Sequence, residues 1–370
     1  MTEIRHLYPG GNTCYGFYSF YDYMVITSRV KRKVILKGGP GTGKSTFMMK
    51  LGRAFAERGH KVEYHWCSSD NESLDGVVVG EQEVCILDGT SPHVVDPLYP
   101  GAVDEIINLG QYWQAATLQA HYPQILDLTE RISLCFTRAY LRLQESKLAL
   151  AEWKSCCQEV LDETAVRRNI LGLCSDFISA SVREEGPLRH LFAGAITPAG
   201  PVTRVESIIT DKYRIYAVKG SPGSGKERLM KHTLEMIEME GWAAEIFHNP
   251  FDPQEIDIIH LPASQAVLID VTGHPIDYLQ RLNSPRFKRM LDFDQLLLAD
   301  KMAPLIPVIE KARHRFQIGI NDSVAWIQSA HSLHDELEEA YMGAMDFSAL
   351  DEASAKLFSD LLSYVSENQS

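Results

Sequence analysis

Lys37-Gly38-Gly39-Pro40-Gly41-Thr42-Gly43-Lys44-Ser45-Thr46 follows directly on the apolar run Val34-Ile35-Leu36. Gly38, Gly43, Lys44 and Ser45 stand at the Walker A spacing, between an apolar run and a stretch with helical periodicity. Glycines there let backbone N–H groups turn inward and cradle phosphates at the positive end of the helix that follows. Lys44 is expected to bridge the terminal phosphates as a point charge, and the Ser45 hydroxyl to ligate Mg2+. The nucleotide-binding set is therefore Gly38, Gly39, Pro40, Gly41, Thr42, Gly43, Lys44, Ser45 and Thr46.

Working outward, the same signal returns as Lys219-Gly220-Ser221-Pro222-Gly223-Ser224-Gly225-Lys226-Glu227-Arg228. The offset of 182 residues from Gly38 to Gly220 holds without a gap for about fifty residues. It pairs Gly59 with Gly241, Asp70 with Asp252, Asp75 with Asp257 and Asp88 with Asp270. Upstream, at an offset of 184, Arg5-His6-Leu7-Tyr8 returns as Arg189-His190-Leu191-Phe192. The chain is a tandem duplication. Each copy alternates short apolar runs with helical stretches, which implies an α/β class: two tandem doubly wound parallel-sheet P-loop NTPase domains, each followed by a helical segment. The first is expected over 1–184, with its helical extension from about 112 to 182. The second is expected over 185–370, with an extension from about 284.

The two loops differ in one decisive position. The second keeps Gly220, Ser221, Pro222, Gly223, Ser224, Gly225 and Lys226, but places Glu227 where the first has Ser45. A carboxylate at 4 Å from a phosphate oxygen costs about 4 kcal/mol at an effective dielectric of 20. A Lys–phosphate hydrogen bond returns only about 1.5–3 kcal/mol. The second site is expected to be degenerate.

Val84-Cys85-Ile86-Leu87-Asp88 is an apolar run ending in an acid, and Asp88 is the expected holder of hydrated Mg2+. Gly89-Thr90 follow it, so the water-activating glutamate of many motor ATPases is missing there. Asp70 and Asp75, in the polar stretch 68–76, are expected in a loop beyond the carboxyl end of a strand, near the reacting phosphate. Helix capping and turn formation are the alternative for both. His93 is a weaker candidate for sensing the terminal phosphate.

The residues Lys37 to Thr46, Cys67 to Gly76, Leu87-Asp88-Gly89-Thr90 and Phe247 to Pro253 resemble a bacterial family of tandem-duplicated P-loop NTPases, ATPase-like or nucleotide-kinase-like. The resemblance implies ATP binding and no particular substrate. Three functions follow as expectations. The first is a slow Mg-dependent ATPase that couples nucleotide state to a protein partner through its helical segments. The second is a kinase transferring the γ-phosphate to a small-molecule acceptor near Asp70 and Asp75. The third is a non-catalytic nucleotide-binding scaffold.

Bulk properties narrow the partners. A net charge of −13 over 370 residues argues against general nucleic-acid binding. No stretch approaches the ~20 apolar residues of a membrane span, and the seven dispersed cysteines read as reduced thiols, so a cytoplasmic protein is expected. Phe136, Leu143, Leu150 and Cys157, with Ala139, Ser146, Trp153 and Val160, form a seven-residue seam on one helix. A helical hairpin packed on itself or on its sister explains the seam most simply. His331, His334, Asp335 and Glu339 lie together in the second helical segment and read as a solvated face rather than a metal cluster.

Overall fold

The computed structural model describes residues 3–91, 94–282 and 287–365. In the first copy, β1 (Ile4–Leu7), β2 (Gly10–Thr13) and β3 (Gly16–Ser19) lead to β4 (Arg32–Lys37) and α1 (Lys44–Glu57). There follow β5 (Val62–Trp66), β6 (Leu74–Val79), β7 (Val84–Asp88) and β8 (Asp104–Asn108). Helices α2 (Ala115–Ala120), α3 (Tyr122–Glu159) and α4 (Glu163–Ser179) complete the copy. The second copy opens with β9 (Leu188–Phe192), β10 (Gly194–Thr197), β11 (Gly200–Thr203), β12 (Arg214–Lys219) and α5 (Lys226–Glu240). Strands β13 (Ala244–His248), β14 (Ile256–Leu261), β15 (Ala266–Asp270) and β16 (Phe287–Asp292) come next. It ends with α6 (Ala299–Met302), α7 (Ile306–Met342) and α8 (Phe347–Leu361).

The α/β class and the tandem P-loop-like architecture are as the sequence implies. One sheet has the order β1-β5-β6-β7-β4-β8, and the other repeats it as β9-β13-β14-β15-β12-β16. The sheets are mixed rather than wholly parallel, because β6 runs antiparallel to β5 and β7, as β14 does to β13 and β15. The reason is local. Only Gly80 to Glu83 separate β6 from β7, and a parallel connection needs a crossover of about a dozen residues or more. Gly80 and Gln82 both adopt φ of 70°, which closes the hairpin. An ion pair repeats with the sheets: Arg5 meets Glu63 at 3.0 Å, and Arg189 meets Glu245 at 3.1 Å.

The compact units are not the two contiguous halves of the chain. One comprises Met1–Gly10, Ser19–Thr137 and Trp326–Ser370, and the other Gly11–Tyr18 and Arg138–Ala325. In the first unit, Leu350, Leu357 and Leu361 of α8 join the core formed by Phe47, Leu51 and Phe55 of α1 with the strands. In the second unit, Val166, Ile170, Leu173 and Phe177 of α4 pack with Leu229, Met230 and Ile237 of α5. Each sheet is thus covered by the last long helix of the other copy. Backbone bridges repeat the exchange, pairing Trp113 with Met345 in the first unit and Leu161 with Leu297 in the second.

The seam on α3 is filled. Ala139, Leu143, Ser146, Leu150, Trp153, Cys157 and Val160 are buried, and Phe136 is half-buried. Within the second unit the Ser146 hydroxyl lies 3.2 Å from the Phe316 carbonyl of α7, so the seam packs on the sister helix. No described helix is long and apolar enough to cross a membrane. All seven cysteines carry free thiols.

Candidate functional site

In the first unit, β4 delivers the chain into the glycine loop, and α1 leaves it. Registry between β4 and β7 pairs Leu36 with Asp88, which sets the acid beside the start of the loop. Lys44 is largely enclosed: its ammonium donates to the Gly38 and Gly39 carbonyls, each at 2.8 Å, and lies 3.5 Å from Asp88. Asp88 accepts from the Thr90 amide at 2.8 Å, and the Thr90 hydroxyl accepts from the Gly38 amide at 3.3 Å. The Ser45 hydroxyl accepts from the Leu74 amide at 2.9 Å, tying the loop to the start of β6. Lys37 closes the other side by donating to the Gly89 and Val95 carbonyls.

The second loop has the same path and a different occupant. Glu227 folds back so that its carboxylate accepts from the Gly223 amide at 2.8 Å. Burial works against that charge, but Lys226 and Lys154 outweigh it and hold the carboxyl below its usual range. Lys226 is buried against Asp270; burial disfavours its charge, and Asp270 more than compensates. Asp270 also accepts from the Thr272 amide at 3.1 Å. Asp257 is pushed up to about 7 by burial and by the charge of Asp270. What remains among Lys154, Lys226, Glu227, Asp257, Asp270 and His274 is a cavity of about 30 Å3. A small-molecule pocket usually runs to roughly 300 Å3 or more, so this space suits a water rather than a nucleotide. Lys154 completes the closure by pairing with Glu255 at 2.9 Å.

The remaining acids fall differently from expectation. Asp75 lies inside β6 rather than in a loop, and it is buried. Burial and then its charge raise both the Tyr21 phenol and the Cys67 thiol. Asp70 does stand in the loop after β5, where it accepts from the Glu72 amide at 2.9 Å and the Ser73 hydroxyl at 2.5 Å. Those bonds form a turn. His93 lies outside the described residues.

Helix α7 brings in residues that the sequence reading assigned to a solvated face. The His331 imidazole sits 3.5 Å from Asp70 and 3.2 Å from Asp335. Burial lowers its proton affinity, but Asp335 and Asp70 together raise it above the usual range. The face holding His331 is therefore not simply solvated; it turns toward the loop after β5. The contact recurs in the second unit, where Lys147, 184 residues before His331, faces Asp252 at 3.7 Å. Among the described residues no cluster of three or more His, Cys, Asp or Glu side chains could cage a metal ion.

A family model described as RNA helicase matches residues 34–120, from β4 to α2. No curated protein and no solved structure matches the chain. The match begins with the strand that enters the first glycine loop and runs through β7. Together with the repeated sheets, it supports a tandem-duplicated P-loop NTPase-like fold for this chain.

Proposed function

We propose that the first loop binds ATP with Mg2+ and hydrolyses it slowly, while the second loop is a structural copy. The contrast between Ser45 and Glu227 carries this reading. The second loop satisfies its own amide with a carboxylate and locks its lysine to Asp270. The first has a neutral hydroxyl at that position and a lysine that, among the described residues, is held by loop carbonyls and lies 3.5 Å from Asp88. Ser45 and Asp88 offer the hard oxygen donors that suit Mg2+, which takes one or two protein ligands and its remaining ones from phosphate and water. Bound there, the metal would neutralise charge on the phosphates; Lys44 would exchange its carbonyl partners for phosphate oxygens.

Titration calorimetry tests the reading directly: one Mg-ATP per chain is expected, with measurable turnover. Two equivalent binding events would overturn the distinction between the loops. Asp88→Asn is expected to lower Mg-dependent turnover at least tenfold while changing metal-free nucleotide binding by less than about threefold. The amide keeps the shape and the Thr90 contact but loses the charge that holds the hydrated metal. Equal losses with and without Mg2+ would remove Asp88 from the metal's surroundings.

The helicase description extends in this reading only to the nucleotide-handling part that it matches. With a net charge of −13 the chain lacks the basic excess that phosphate-backbone contacts need. Coupling to a protein partner is favoured by a separate feature of α3. Leu134, Leu141 and Leu148 are 55%, 51% and 74% exposed at seven-residue spacing, away from the buried seam. The kinase alternative is less well served, because Asp70 is engaged in its turn and with His331, and Asp75 is buried.

A further inference from the structure

Helices α3 and α7 are copies of one another at an offset of 184 residues, which aligns Pro123 with Pro307 and Glu152 with Glu336. The offset also aligns Asp162 with Asp346, and each caps the following helix, accepting from Ala165 at 3.0 Å and from Ala349 at 3.1 Å. Each long helix is pinned over the glycine loop of its own unit at two equivalent points. A methyl group on Gly223 would lie 2.4 Å from the Lys154 carbonyl oxygen, and one on Gly41 would lie 2.7 Å from that of Glu338. Both glycines also hold positive φ, 80° and 62°, so backbone meets backbone only because no side chain intervenes. The second point is the pair of contacts already described, Lys147 to Asp252 and His331 to Asp70.

Between those anchors, α3 presents Leu150 and Lys154 to the space around Lys226, Glu227 and Asp270. The aligned residues of α7 are His334 and Glu338. They sit one helical turn apart, with His334 Nδ1 3.6 Å from Glu338 Oε1. The degenerate unit therefore has an apolar side chain and a lysine paired with Glu255 at the two positions whose aligned residues in α7 are an imidazole and a carboxylate. The first unit also lacks an acid after Asp88 to activate water.

We propose that His334, oriented by Glu338, is the proton-accepting group of the first site; this rests on the ATP reading above. With Nδ1–H turned to the carboxylate, Nε2 would be left as the basic nitrogen. A water oxygen forms a bond to the γ-phosphorus as the bond from that phosphorus to the β–γ bridging oxygen breaks. The electron pair of the broken bond stays on ADP, and the water proton passes to His334 Nε2 and then to solvent. The products are ADP and inorganic phosphate.

The test compares wild type, His334→Ala and Glu338→Gln, with circular dichroism as the folding control. His334→Ala is expected to lower ATP turnover about 100-fold or more, within the range for a lost general base. ATP and ADP affinities by calorimetry should stay within about twofold. Binding of ADP with aluminium fluoride, a mimic of the phosphoryl group in transfer, should weaken more than tenfold. Added imidazole should restore part of the turnover, and Glu338→Gln should show a smaller loss of the same kind. Turnover within threefold of wild type, in a His334→Ala protein that binds ATP normally, would overturn the assignment. A wild-type protein that binds no ATP would instead overturn the nucleotide reading, and this inference with it.

Discussion

Lys44→Ala is expected to weaken Mg-ATP binding by a factor of about 100 or more and to abolish measurable turnover. On the proposed reading the ammonium would meet a nucleotide's terminal phosphates, and each charge-assisted hydrogen bond to phosphate is worth about 1.5–3 kcal/mol. Losing two such bonds costs about 3–6 kcal/mol, or two to four powers of ten in affinity. The lysine is not a free surface charge: its side chain is 11% exposed and holds the Gly38 and Gly39 carbonyls. Some loss of stability is therefore expected as well, about 1–2 kcal/mol for two net hydrogen bonds. Lys44→Met, which keeps most of the volume, separates the two contributions. Calorimetric binding and thermal melting measure them; affinity within threefold of wild type in either variant would show that the first loop does not bind nucleotide.

Lys226→Ala is expected to do the reverse. Its ammonium is buried against Asp270, and removing one partner of a buried pair leaves an uncompensated charge at a cost of about 3–5 kcal/mol. Melting of the second unit should fall by on the order of 10 °C for a domain of this size, with ATP turnover changed by less than about twofold. Lys226→Met with Asp270→Leu should recover much of the stability, because an apolar pair of similar volume removes the desolvation penalty. The readouts are differential scanning calorimetry and turnover at a temperature well below melting. A turnover loss as large as that of Lys44→Ala, in folded protein, would mean that the second loop handles nucleotide after all.

These opposite outcomes follow from one substitution inside a duplicated motif. At the loop's eighth position the first copy has a hydroxyl, which on the proposed reading would leave the cradle to a phosphate, whereas the second has a carboxylate that turns back onto the loop. Glu227 acts as the second loop's own anion, accepting from the same backbone that would otherwise face a ligand. The sequence reads the substitution as repulsive to phosphate; the structure adds that the carboxylate accepts from the loop's own Gly223 amide.

Much of this protein was legible in the residues themselves. The spacing from Gly38 to Ser45, the apolar run before it and the helical pattern after it are local features, governed by turn geometry and short-range periodicity. The 182-residue offset then determined that the architecture occurs twice, and β4 and β7 stand within two residues of the apolar runs at 34–36 and 84–88. Even the antiparallel strand had a local sign, since Gly80 to Glu83 is too short for a crossover. Tertiary structure decided the rest. The period of α8 marks Leu350, Leu357 and Leu361 as one apolar face, as that of α4 marks Val166, Ile170, Leu173 and Phe177, yet a period names a face and not its partner. Two homologous sheets offered near-equivalent surfaces, and only packing selected the exchange that puts α8 on α1 and α4 on α5. The same choice brings His331 to Asp70 and sets Glu338 against Gly41, joining residues about 260 to 300 positions apart by shape rather than by any spacing in the chain.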